Sequence, residues 1–161
     1  MTAPTLNGPL EVGLRALTLL SAAFPRAFDI ASLSFLDYTL LHSREFGGPE
    51  SLHPDVPNHQ SEITVKRNML EHGLEVMIRA RLVSLRVEPG GIAYAATDNA
   101  PGFVGLLESE YMQELRRRAE WVLESFGDAD PAVLRSLIAS LGGVDNFTPD
   151  PLTAPEHQGD S

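Results

Sequence analysis

Hydrophobic positions recur along this chain with two different periods, and the change of period marks its organisation. In residues 61–96, Ile63, Leu70, Leu74, Met77, Ile78 and Leu82 return at three- and four-residue steps. Lys66, Arg67, Glu71, Glu75 and Arg79 fill the other face. That spacing predicts a long amphipathic helix. Ser61 is placed to cap it, and Glu62 suits the positive end of its dipole. The period then shortens: Leu82, Val83, Leu85 and Val87 on one side and Ile92 and Tyr94 on the other bracket Pro89-Gly90-Gly91. Alternation around a glycine-rich break predicts a β-hairpin. Helix followed by hairpin is the second half of a winged helix-turn-helix. Two readings stay open: the hairpin only builds core, or it is a wing that reads DNA.

The same periodicity predicts four further segments. Leu10, Leu14, Leu17 and Leu20 mark a helix over 10–23, stopped by Pro25. Asp29 is a cap for a second helix to about 41, with Ile30, Leu33, Leu36 and Leu40 inward. A long helix over about 103–126 carries Val104, Leu107, Tyr111, Leu115, Ala119, Val122 and Phe126. Asp130-Pro131 reads as a cap followed by proline in the first turn. Val133, Leu134, Leu137, Ile138 and Leu141 continue that last helix to Gly142-Gly143. The expected class is therefore mainly α: a winged helix-turn-helix-like domain with a two-stranded hairpin wing and extra C-terminal helices. It divides into a flexible arm at 1–9, a domain at 10–143, and an acidic tail at 144–161 whose prolines and acids predict disorder.

Charge and composition narrow the chemistry. The net charge is −10 over 161 residues, which argues against a nucleic-acid protein working alone. Locally, residues 62–86 hold five cations against three acids. Lys66, Arg67, Arg79 and Arg86 are thus candidates for contact with a DNA backbone, although such a mix is also an ordinary solvated face. Cysteine is absent, which excludes disulfides, thiol nucleophiles and zinc–thiolate sites. No apolar run approaches the ~20 residues of a membrane span. The opening residues lack a signal-peptide pattern, so the cytoplasm is the expected compartment.

Enzyme motifs are missing. There is no Gly-x-Ser-x-Gly elbow and no phosphate-binding loop. A nuclease gathers acids and lysine around a metal, and this chain has one lysine, Lys66. The connection at 42–60 holds His42, His53 and His59 among Glu45, Glu50 and Asp55, but their spacing matches no metal pattern. No catalytic residue, cofactor or metal is expected. A connection of nearly twenty residues is nonetheless uncommon inside a compact domain unless it has a function. The block Glu114, Arg116, Arg117, Arg118 sits on the long helix, and Arg116 and Arg117 are expected in solvent or against a partner's acids.

Four stretches carry a resemblance: LDYTLLHS at 36–43, GGPESLHP at 47–54, KRNMLEHGLEVMIRARLV at 66–83, and FVGLLESEYMQELRRRAEWVLESF at 103–126. Together they resemble the second class of middle component of bacterial ABC-three-component systems, which overlap with those called Lamassu. GGPESLHP is the most specific of the four. The resemblance implies a non-enzymatic subunit bridging an SMC-like ABC ATPase and an effector, often a nuclease, in a complex that senses phage or plasmid DNA. DNA would then be met mainly through the complex, with no membrane involved. A chain of this kind acts through surfaces, with apolar or aromatic anchors beside polar rims. Phe46, Leu52, His53 and Val56 in the proline-stiffened connection, and Tyr111, Arg117 and Trp121 on the long helix, are the candidate anchors. The alternative is a free-standing winged-helix transcriptional regulator, which needs a strongly basic recognition helix. Glu71 and Glu75 one turn beyond Lys66 and Arg67 favour the bridge.

The tail lacks the apolar content that offsets ordering entropy. Deleting residues 145–161 should therefore leave the melting temperature of the chain nearly unchanged; a drop of many degrees would show that the tail docks on the body.

Overall fold

A computed structural model describes residues 8–52 and 59–143; for 59–66 and for 131, 135, 138 and 141–143 it describes backbone only. The elements run α1 (Pro9–Ala22), β1 (Ala27–Phe28), α2 (Ile30–Leu41), a 3-10 turn (Ser43–Phe46), α3 (His59–Arg79), β2 (Val83–Glu88), β3 (Gly91–Ala96), α4 (Ala100–Gly105), α5 (Glu110–Phe126) and α6 (Pro131–Gly143). The protein is mainly helical with one small antiparallel sheet, consistent with a helical domain carrying a hairpin wing.

α2 is the centre. Leu33, Phe35, Leu36, Tyr38, Leu40 and Leu41 are all buried, and so are the polar Ser32, Asp37 and Thr39. A helix hydrophobic all round belongs inside the molecule, and α1, α3, α5 and α6 pack about it. Asp29 starts it as expected, its Oδ1 accepting the Ser32 N–H at 2.7 Å. The buried Thr39 hydroxyl stays satisfied within the helix, donating to the Phe35 carbonyl at 2.8 Å.

α1 meets α3 with almost no side chain between them. A Cβ on Gly13 would lie 2.8 Å from the Gly73 carbonyl oxygen, and one on Gly73 would lie 2.6 Å from the Gly13 nitrogen. Both distances are far below van der Waals contact, so the crossing requires glycine on both helices. Two residues further along α1, Arg15 is buried and pairs with buried Asp37 on α2. Its Nε donates to Asp37 Oδ1 at 2.9 Å, and its Nη2 to Oδ2 at 3.3 Å. Burial alone would lower the Arg15 pKa, but the Asp37 charge and hydrogen bonds outweigh it and the pKa is raised. Leucine periodicity gave no sign of this pair. It also misassigned one face: Leu10 is 55% exposed, while Val12, Ala16 and Leu19 join Leu17 and Leu20 in the core.

The hairpin closes through Pro89-Gly90, with Val87 opposite Ile92 and Glu88 opposite Gly91. The sheet it belongs to has a third strand. β1 pairs antiparallel with β3, Ala27 opposite Ala95 and Phe28 opposite Tyr94, giving the order β1-β3-β2. Two residues between Pro25 and Asp29 are too few for an alternation signal, so β1 could not be read from the sequence.

Three further expectations need correction. The helix expected over 103–126 is two helices. Ser109 caps α5 by accepting the Met112 N–H at 3.2 Å, and Leu106–Ser109 break the rod between α4 and α5. α3 begins at His59, so Ser61 lies inside it rather than at its cap. Arg116 is not a solvated charge: its Nη1 donates to the Val104 carbonyl at 2.8 Å and ties α5 to α4. The Asp130 cap holds, its Oδ1 accepting the Ala132 N–H at 2.8 Å. The arm at 1–7, the connection at 53–58 and the tail at 144–161 lie outside the described residues.

Removing one member of a buried ion pair strands the other charge, which typically costs about 3–5 kcal/mol. Asp37→Ala should lower unfolding stability by that amount in a denaturant titration. The double replacement Arg15→Met with Asp37→Leu should recover most of it.

Candidate partner-binding surface

The connection after α2 is folded onto the domain by specific bonds rather than draped over it. Ser43 Oγ donates to the Pro49 carbonyl at 2.7 Å, and Ser51 Oγ accepts the Arg44 N–H at 3.2 Å. The Tyr38 hydroxyl donates to Glu45 Oε2 at 3.0 Å. Gly47 takes a left-handed turn with φ of 77°, a conformation glycine adopts without strain. Gly48 lies flat on an indole: a Cβ there would fall 2.3 Å from Trp121 Cζ2. The first glycine of GGPESLHP makes the turn, and the second lets the loop reach α5.

Phe46 and Trp121 belong to one aromatic cluster. Phe46 meets Phe35 edge-on with centroids 5.7 Å apart, and meets Tyr38 and Phe126 at 6.0 Å. Trp121 meets Phe126 edge-on at 6.1 Å. Edge-to-face pairs at these distances add to the burial they accompany. Phe46, Leu52, Tyr111 and Trp121 are each half-buried and packed against the core. Phe46 against Phe126 and Gly48 against Trp121 hold the loop to α5, and each of the four keeps part of its surface open to solvent. Tyr111 stands beside the Arg15–Asp37 pair; burial first, then the Asp37 charge, push its phenol pKa up against the pull of Arg15. Arg117 is exposed and pairs with Glu114 at 3.2 Å, and Arg118, largely buried, pairs with the same carboxylate at 3.2 Å. His53 and Val56 lie outside the described residues.

The candidate DNA contacts are scattered. Arg67 is exposed but faces Glu71 across one turn at 3.9 Å. The Lys66 side chain lies outside the described residues. Arg79 and Arg86 are exposed at the end of α3 and on β2. Arg81, between them, was not singled out by sequence. It is exposed and has φ of 62°, the one non-glycine residue with positive φ among the described residues. Around it Leu82 N–H bonds to the Met77 carbonyl and Arg81 N–H to that of Ile78, both at 3.0 Å. That is the bonding of a Schellman helix end, where glycine is the usual residue.

The hairpin beyond exposes Leu85 (47%), Val87 (84%) and Ile92 (52%). Leu85 stands opposite Tyr94 and Val87 opposite Ile92, so all four share one face of the pleat. A shallow cleft of about 260 Å³ lies behind the hairpin tip, lined in part by Phe28, Asp29, Ser32 and Glu88. Asp29 is committed to capping α2, so the cleft gathers no acid–base pair. Among the described residues no group of histidines and carboxylates is arranged to hold a metal, and no helix is long and apolar enough to cross a membrane.

Trp121 is the single tryptophan of the chain, so its emission reports on one place, where the loop meets α5. Gly48→Ala forces the indole to move, and overpacking of this kind costs about 1–3 kcal/mol. A lowered melting temperature with red-shifted emission is the expected outcome; an unchanged spectrum would show that the loop does not rest on α5.

Compared with known families, the chain matches the model of the ABC-three component system Middle Component 2 across residues 5–143. No curated protein and no solved structure matches it.

Proposed function

The chain belongs to the Middle Component 2 family of ABC-three component systems, and from that premise we propose that it is a non-catalytic bridge. It links the system's SMC-like ABC ATPase to an effector, a nuclease being the class expected, in a complex directed against phage or plasmid DNA. The observation that carries the reading is the family match itself, which spans the whole helical body from α1 to α6. A middle component of a three-component system suits a place between the other two, held by contact.

The side chains support the same reading. The buried polar groups Arg15, Asp37, Ser43 and Thr39 are committed to bonds inside the domain. What remains outside is a set of half-buried anchors, Phe46, Leu52, Tyr111 and Trp121, beside the exposed Arg117. That is the composition of an interface centre with a charged rim. The element order helix, strand, helix, helix, strand, strand from α1 to β3 suits a winged-helix-like body. The free-standing regulator fits less well: α3 exposes Glu71 and Glu75 along with Arg67, and phosphate would be repelled by a chain of net charge −10.

Co-expression with the neighbouring ATPase and effector genes tests the proposal. The tagged chain should retain both partners through purification. Leu52→Ala with His53→Ala should weaken that retention while shifting the melting temperature of the free subunit little. Full assembly by the double variant would remove the loop from the interface, and an unfolded variant would make the motif structural.

A further inference from the structure

Among the described residues β2 is the open edge of the sheet, since the order β1-β3-β2 places no further strand beside it. The register fixes which backbone groups face outward. Thr97 N–H donates to the Leu82 carbonyl at 3.0 Å, which makes 82 and 97 a bonded pair. In an antiparallel ladder bonded and non-bonded pairs alternate. Continuing along the register, Ser84, Arg86 and Glu88 bond inward to β3, while Leu85 and Val87 present their N–H and C=O to the outside.

Natural sheets protect such edges by making them short, charged or covered. This edge is six residues long, and its outward backbone groups belong to the buried Val83 and to two exposed aliphatic residues. Around it stand three exposed arginines: Arg79 and Arg81 where the strand begins, and Arg86 on the face opposite Leu85 and Val87. None of the three has an ion-pair partner among the described residues. Arg81 also holds a left-handed helix-end position that glycine would fill without strain. Backbone strain of this kind persists where the side chain has a use.

We propose that β2 is completed by a strand from one of the chain's assembly partners, and that this strand alternates aliphatic with acidic residues. A strand laid beside β2 points its side chains alternately to the two faces. On one face it meets Leu85 and Val87, and on the other Arg86, with Arg79 and Arg81 at the end. A second copy of this chain aligned on Arg86 would bring cation against cation. Duplex DNA would bury bare aliphatic tips and leave the backbone edge unpaired. The acidic, aliphatic strand satisfies the backbone edge, the apolar face and the arginines together. The proposal rests on the bridging reading and assigns it a second contact, apart from the Gly48–Trp121 region.

The test uses the full chain co-expressed with the neighbouring ATPase and effector. Val87→Pro removes an N–H that the β2–β3 ladder does not use, so it blocks strand addition without breaking the hairpin. Arg86→Glu reverses an exposed charge. Each should reduce recovery of one partner at least tenfold with the other partner retained, and Arg81→Gly should reduce it while leaving the melting temperature equal or higher. In the assembled wild-type complex, amide exchange at Leu85 and Val87 should slow at least tenfold relative to the free chain. Full recovery by both Val87→Pro and Arg86→Glu, with unchanged exchange, overturns the proposal and leaves the bridge standing. Failure of the wild type to retain either partner overturns the bridge and this proposal with it. Slowed exchange that follows the concentration of the chain alone would make the occupant a second copy. Loss of duplex-DNA binding by Arg86→Glu with assembly intact would make it nucleic acid. Either result also overturns the proposal.

Discussion

A guanidinium buried in a small helical core must be matched by a carboxylate, and the Arg15–Asp37 pair sets how this domain closes. Its two parallel hydrogen bonds, at 2.9 and 3.3 Å, allow little rotation of α1 against α2. Two residues away on α1, the Gly13–Gly73 contact fixes the crossing with α3. The three helices are therefore located by one charged contact and one contact of bare backbone. Greasy packing alone would tolerate several registers, because α2 is apolar on every side and offers no preferred face. Desolvation makes a buried ion pair a weak source of stability; here its effect is to select one arrangement.

The outer elements follow from that arrangement. α3 runs into the hairpin through the left-handed Arg81, so the orientation of β2 and β3 depends on where α3 is held. β1, between α1 and α2, pairs with β3 and ties the hairpin to the same core. The Gly47-Gly48 turn follows the short helical turn after α2 and rests on Trp121. Both exposed regions with interface character, the loop against α5 and the free edge of β2, are thus placed by rigid elements. Preorganised surfaces lose less entropy on association.

Much of this was legible in the sequence, and the failures have physical causes. The helix-to-hairpin change of period survives because it spans more than thirty residues, and the Asp29 and Asp130 caps because they are local chemistry. β1 is too short for a pattern. The break at Ser109 was hidden because the apolar stripe runs on across it, from Val104 through Leu115. Arg15 and Asp37 are 22 residues apart, and each alone reads as an ordinary surface charge on an amphipathic helix. The aromatic cluster was visible only as separate residues: Phe46, Trp121 and Phe126 were each in view, but nothing in spacing joins a loop to a helix seventy positions away. The open edge of β2 was equally hidden, since strand order is not written in alternation.

The function we propose for this chain is contact: holding two other proteins together. Omission tests it most directly. The ATPase and the effector, purified separately, would be mixed with and without this chain, and the mass of the product read by light scattering during size-exclusion chromatography. The account predicts one species containing all three proteins when the chain is present, and two unassociated species when it is absent. Equal association of ATPase and effector without it would contradict the account.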